Sequence, residues 1–586
     1  MPFGNHATMV DGETLTEFIA VARGQKPAEL CLKNVQIVNV WASEVLCGDL
    51  AVHRGRIAGW GKYQGVQEIP LDGAYVAPGF IDAHLHLEST LLCPHEFAAA
   101  VVPHGTTAVV LDPHEIANVL GLRGVRALMQ ACEGLPLDFF FMLPSCVPAA
   151  PLDPSGAVLR GSDLHTLRGH PRVLGLAEMM NFPGVLARDP DVLEKIVLFQ
   201  DTLMDGHCPG LTDRDLNAYL ACGIHSDHET TALKEAQEKL SKGMILMIRE
   251  GSQSKDMAAL LDAVTDSSWP RCLFVSDDRH PTDLLHQGHM DAIVNRAMAL
   301  GLSPIRAIAL ASWNPAHLFG LRRRGALAPG YIADFSVSPT LNPWQPTMVF
   351  KEGLLVSRNG CLCHPQKPPK DKLLQAMPSP MAVQDVDPSR LRVPATGKNL
   401  RVIGLREDSL ITDHLHLPAT IENGVAVCDP TRDLLKIVVY NRYVAYEGAA
   451  QPAIGFVKGF GLREGALAAT VAHDAHHLIA VGASDEAITH AVRAVVKSRG
   501  GLTVSDGQGV VAHMPLPLAG LMSLEPLKEV CGALENVTKA AQALGCPLKH
   551  PFMALSFLAL PVIPALKMSS QGLVDVERFE VVPLFE

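Results

Sequence analysis

The sequence predicts an α/β protein built on a closed (β/α)8 barrel. Three observations carry that expectation. Eight strand-like segments alternate with apolar-periodic helical runs over about 240 residues, the order and length of a TIM barrel. Polar and titratable residues crowd the C-terminal end of nearly every one of those strands, where such barrels carry their chemistry. Two blocks of short strands flank the barrel, so segments on both sides of it are expected to form one small β-domain.

The elements follow in chain order. AELCLKNVQIVNV, GDLAVHRGRIAGWG and QEIPLDGAYVAPG, within residues 28–79, alternate apolar and polar positions as half-buried strands do. GALAPGYIADFSVS (325–338) and TMVFKEGLLVSRNG (347–360) repeat that texture beyond the barrel. The barrel strands are GFIDAHLH, TTAVVLDPHE, DFFFMLPS, RVLGLAEM, TLMDGHCP, LACGIHSDHE, MILMIREGS and RCLFVSDDRHP, with helical runs such as LRGVRALMQACEG and AALLDAVTD between them. HPQKPPKDK and MPSPMAV mark a linker rich in Pro, Lys and Ser. Beyond it, LKIVVYNRY, HHLIAVGAS and the helical SDEAITHAVRAVVKSRGG predict a C-terminal α+β domain. The expected boundaries are 1–76 with 322–365 for the β-domain, 77–321 for the barrel, 366–390 for the linker and 391–586 for the last domain.

Bulk properties exclude several classes. A chain of 586 residues holds two to four domains, and 48% hydrophobic with 19% charged residues describes a protein with a large core. The net charge of -12 opposes a nucleic-acid surface, which needs a basic face. MPFGNHATMVDGETL lacks the basic start and apolar run of an export signal. MALSFLALPVIPAL (553–566) is too short to span a bilayer and carries two prolines, so it reads as core. Thirteen cysteines without a CxxC pair fit reduced thiols in a cytoplasm.

Strand-end residues distant in sequence converge if the barrel forms. His84 and His86 alternate on one face of the first strand, with Glu88 following. Glu178 ends the fourth strand, His207 the fifth, His228 the sixth and Asp277 the eighth. Neutral imidazoles and carboxylates bind divalent cations, and these six side chains suffice for two ions if Glu178 bridges them. The donor set suits manganese, iron or zinc. Two positions have competitors. His225 precedes His228, which is favoured because Asp227 and Glu229 flank it as acceptors for its other ring nitrogen. Asp278 follows Asp277, which is favoured because it comes straight after LFVS. HDAHH (473–477) has spacing that permits a further metal site. The alternative is that Asp474 and His476 order a turn or close over the barrel mouth.

PGFIDAHLHLEST, DGHCPG with GIHSDHE, SDDRHP and SPIRAIALASWNPAHLFGL with GALAPGYIADF resemble the amidohydrolase superfamily. KGFGLREGALAATVAHDAHHLIAVG and PFMALSFLALPVIPALK extend the resemblance to the C-terminal domain of its bacterial adenine deaminases. That resemblance implies a β-sandwich beside a metal-dependent barrel, a two-metal centre with Mn2+ or Fe2+ as the usual ions and Zn2+ as a further choice, and hydrolysis of adenine to hypoxanthine and ammonia. Many superfamily relatives bridge their metals with a carboxylated lysine, but RVLGLAEMMN holds none, so Glu178 takes that place.

The expected chemistry is attack on C6 by hydroxide generated at the metal pair, with Asp277 moving the proton from water to the leaving amine. Glu115, His114 and Glu250 are the candidate donors of a proton to ring N1, and Arg249 a candidate hydrogen-bond donor to the purine. The rival expectations are a hydrolase of a cyclic amide or another aminated heterocycle on the same scaffold, and an assembly protein that has lost its chemistry. A cytoplasmic homo-oligomer, dimer or tetramer, without nucleic-acid or membrane partners, completes the sequence-based expectation.

Overall fold

The computed structural model describes residues 12–384, 386–406, 409–444 and 452–586, so most of the N-terminal stretch read above for an export signal lies outside the described residues. Strands from both sides of the barrel join in one nine-stranded mixed sheet. Its seam pairs Tyr75–Pro78 antiparallel with Phe335–Ser338, with Phe335 opposite Pro78. Leu30, Leu32, Ile37, Val52 and Ile57 from one side pack with Phe335, Val337 and Phe350 from the other. Alternation along each strand puts these residues on a shared face, and burying it ties the two distant segments together.

All eight expected parallel strands are present. Five run in the order Leu203–Gly206, Val173–Met179, Asp138–Leu143, Thr106–Leu111 and Phe80–Leu85, and three as Ser226–Asp227, Ile245–Arg249 and Cys272–Val275. Every residue of Phe80–Leu85 and Thr106–Leu111 is buried, which is why these strands read as near-continuous apolar runs. The sheets curl until their edges meet. On one side the N–H of His225 bonds Met204 O at 3.2 Å. On the other, a parallel bridge links Leu85 and Asp277, and Asp277 N–H reaches His84 O at 3.0 Å. The sixth strand keeps only two residues of regular structure where the sequence predicts a longer one. It crosses Gly206 closely: a Cβ there would stand 2.1 Å from Ser226 O, so only glycine fits. Ile81, Ala83, Val110, Met142, Met247 and Leu273 fill the interior below the strand ends.

The C-terminal region is α+β, with an eight-stranded mixed sheet flanked by helix Asp485–Ser498 and helix Leu527–Ala543. Ser484 caps the first of these, its side chain accepting from Ala487 N–H. The Pro- and Lys-rich connection is packed down: helix Lys370–Ala376 buries Leu373, and Met377 joins the main core. Residues 553–566 are mostly buried, and no helix among the described residues is long and apolar enough to cross a membrane. All thirteen cysteines are unpaired.

Candidate metal centre

His84, His86, Glu178, His207, His228 and Asp277 meet at the C-terminal ends of the parallel strands. His84, His86, Glu178, His228 and Asp277 are buried, and His207 is partly open to solvent. Glu178 stands at the middle. Its Oε1 lies 3.3 Å from His86 Nε2 and 4.0 Å from His84 Nε2; its Oε2 lies 2.6 Å from His207 Nδ1 and 3.2 Å from His228 Nε2. One oxygen thus faces each pair of imidazoles. Asp277 Oδ1 closes the first group, 3.2 Å from His86 Nε2 and 3.7 Å from His84 Nε2. Asp277 holds a left-handed backbone, φ 53°, which aspartate tolerates better than most residues.

Ring orientation is set from outside the cluster. His84 Nδ1 is 3.1 Å from Asp205 Oδ2, and His86 Nδ1 is 3.1 Å from the carbonyl of Asp112. Each contact fixes the hydrogen on Nδ1 and aims the Nε2 lone pair inward. Asp205 is held by the Ser226 hydroxyl. Sequence reasoning missed Asp205; it stands two residues before His207 on the same strand, and that spacing was the available signal. Asp227 does not orient His228 as expected. It accepts from Cys208 N–H at 2.7 Å, Thr230 Oγ1 at 2.6 Å and Lys239 Nζ at 2.9 Å, because a buried ammonium demands a carboxylate. His225 is exposed, whereas His228 is buried at the centre. Asp278 accepts from Ser89 instead of joining the ligands.

The residues fit a pair of cations. His84 Nε2, which faces Glu178 Oε1 and Asp277 Oδ1, is buried without a hydrogen-bond partner, and a lone pair aimed at its neighbours' oxygens needs something electropositive between them. Donors bound to one ion at about 2.1 Å stand roughly 3.0–3.5 Å apart, close to most of the separations in the first group. The electrostatics agree. Burial opposes ionisation of Glu178, but His207 and His228 outweigh it and hold the carboxyl well below the carboxylate range. Asp277 is held down likewise, against burial, by His86, Arg249 and His228. Burial would lower His228, yet Glu178, Asp277 and Glu229 raise it to about 10. A cation replaces those protons.

The remaining expected residues divide. His114 is at the centre, its Nδ1 3.5 Å from Glu178 Oε1 and without a hydrogen bond of its own. Arg249 pairs with Glu229, with Asp256 at 3.0 Å and with Asp277 Oδ2 at 3.0 Å, so it holds carboxylates where a hydrogen bond to substrate is expected. Glu250 is engaged elsewhere: its carboxylate takes the Met257 amide, and its carbonyl accepts from Arg279 at 3.0 Å. Glu115 accepts from His473 Nδ1 at 2.6 Å and from His476 Nε2, both from HDAHH in the C-terminal region. His476 Nδ1 accepts the Ala472 N–H at 3.1 Å, so the neutral ring carries its hydrogen on Nε2 and donates it to Glu115. Burial supports that neutral state, lowering His476 to about 4. Glu115, His473 and His476 are also close enough together to form a candidate cation group, and their contacts bring the HDAHH turn against the helix that follows the second barrel strand.

Four imidazoles and two carboxylates at the ends of a curled parallel sheet define a metal-dependent hydrolase of the amidohydrolase class, and the amidohydrolase family model matches residues 75–356. The model of the adenine deaminase C-terminal domain matches residues 409–580. The chain is 56% identical over 576 residues to an adenine deaminase of Syntrophobacter fumaroxidans, covering 98% of this chain and 99% of that one. It is 44% identical to adenine deaminase 2 of Carboxydothermus hydrogenoformans and 45% to an adenine deaminase of Desulfatibacillum aliphaticivorans, each over 97% of this chain and 99% of the relative. The chain belongs to the adenine deaminase family.

Proposed function

We propose that the protein hydrolyses adenine to hypoxanthine and ammonia at a centre of two divalent cations, Mn2+ or Fe2+, in purine salvage or catabolism. The observation that carries the site assignment is Glu178, one carboxylate whose two oxygens face two separate imidazole pairs. His84, His86 and Asp277 would hold one ion, His207 and His228 the other, and Glu178 both. Negative charge between the cations offsets their mutual repulsion. When bound, the ions lower the pKa of water enough to supply a nucleophile at neutral pH.

The chain's own residues do the rest. Water oxygen adds to C6 and N6 departs as ammonia, so one proton must move from water to the amine. Asp277 takes that proton and delivers it, and Arg249 at Oδ2 fixes the plane of its carboxylate. N1 gains a proton as C6 becomes tetrahedral. His114, with Glu115 3.4 Å from its Nε2, supplies that proton in this reading and recovers one from the C6 hydroxyl as the carbonyl forms. The HDAHH turn, closing over the mouth, limits access of bulk water, which strengthens these electrostatic contacts.

The same reading places the sandwich in 1–76 with 322–365, the barrel in 77–321, the connection in 366–390 and the last domain in 391–586, in a cytoplasmic homo-oligomer. Ammonia release measured with Mn2+ or Fe2+ across adenine, adenosine, guanine, cytosine and hydantoin tests it. Adenine is expected to be the preferred substrate, with hypoxanthine as product; turnover of hydantoin alone would overturn it.

A further inference from the structure

The connection between strands Ala466–Ala469 and Leu478–Gly482 brings residues 471–477 against Glu115, whose neighbour His114 faces Glu178 in the candidate metal centre. Its groups are tied down one by one. His473 and His476 donate to Glu115, and His477 Nε2 donates to Pro154 O at 2.8 Å. The Ala475 carbonyl accepts from Tyr443 at 2.6 Å and that of His476 from Arg442 at 2.5 Å. Two polar atoms in this turn have no hydrogen-bond partner, His477 Nδ1 and Asp474 Oδ2, and the second belongs to a carboxylate on a residue only 4% exposed. Asp474 Oδ1 is 3.8 Å from His473 Nδ1, and the charged groups around the carboxylate are His114, Glu115, His473 and Glu178. A buried carboxylate oxygen without a donor is costly, and one kept beside a reaction centre fits a donor carried by the ligand.

We propose that Asp474 is a specificity-determining residue of the purine pocket, its carboxylate accepting a hydrogen bond from the imidazole N–H of the free base. The inference rests on the adenine reading. Apart from the amino group that is lost, the imidazole N–H is the only donor adenine has, while its other ring nitrogens are acceptors that a carboxylate repels. A substituent on N9 removes that hydrogen. Asp474 therefore selects the base over N9-substituted purines by chemistry as well as by shape, and a domain outside the barrel supplies the selection.

Asp474→Ala and Asp474→Asn, loaded with Mn2+, test this with adenine and 9-methyladenine. The alanine variant is expected to raise KM for adenine roughly 10- to 100-fold while kcat and metal content change little. Its affinity for 9-methyladenine, read by calorimetry, should stay near that of the wild type, and asparagine, which keeps an acceptor, should fall between. An unchanged adenine KM, or an equal loss for both ligands, would overturn the inference. Should the alanine variant lose metal, the isosteric asparagine variant decides by the same ratio. Wild-type protein that binds adenine but releases no ammonia would sink the deaminase reading instead, and calorimetry would still judge the contact.

Discussion

Glu178 and Asp277 carry unequal burdens. Glu178→Gln leaves a neutral amide between two imidazole pairs, so bound metal is expected to fall from two ions per chain to one or fewer, counted by elemental analysis, with deamination lost. Asp277→Asn keeps an oxygen for the first group and loses the proton carrier. Metal content should persist while kcat drops about 10²–10⁴-fold. Asp205→Ala frees His84 to rotate, and metal affinity measured by competition with a chelator should weaken about 10- to 100-fold. The six candidate ligands are readable in the sequence because each sits at the end of an apolar run, in a motif a few residues long. The partners that orient them are not. Asp205 offers only its two-residue spacing from His207, Asp112 acts through a backbone carbonyl that no side chain marks, and Asp227 looks like a partner of His228 only until Lys239, on the following helix, claims it. Arg249 reads as a purine donor until the three carboxylates around it are seen.

At the level of elements, fully buried parallel strands announce themselves as runs of Val, Ile, Leu and Phe, which is why all eight are visible without coordinates. The sixth is shorter than expected because backbone crosses backbone at Gly206, a constraint that propensity does not register. AALLDAVTD gives one short helix, Met257–Leu260, and a 3₁₀ turn rather than a full helix. Strand Leu566–Ser569 holds another element-scale feature. Burial lowers the Lys567 ammonium to about 7 from an ordinary 10.5, and its hydrogen-bond acceptors are the carbonyls of Leu410 at 2.7 Å and Phe557 at 3.2 Å. Between those two values the unfolded chain binds the extra proton, so stability contributed here rises with pH across that window and is smallest below about 7. Lys567→Met should flatten that rise in thermal unfolding followed from about pH 6.5 to 9.5. A slope equal to the wild type's would assign the pH dependence to other groups.

Across the whole molecule, three regions of sequence build one reaction chamber. The nine-stranded sheet links the segments before and after the barrel, the barrel gathers the ligands, and the C-terminal turn reaches Glu115 from 358 residues away. Period and composition locate the first two, whereas nothing in HDAHH says which carboxylate its histidines will meet. The contact with Glu115 also ties the domains energetically: Glu115→Ala would leave His473 and His476 buried against nothing, and the C-terminal region should become more open to proteolysis under native conditions. The most direct check on the paired-cation centre is ammonia release from adenine as Mn2+ is titrated into the metal-free chain. Activity should climb and break at two equivalents per chain. A break at one equivalent, or adenine left intact at saturating metal, would contradict a bridging Glu178 between two ions.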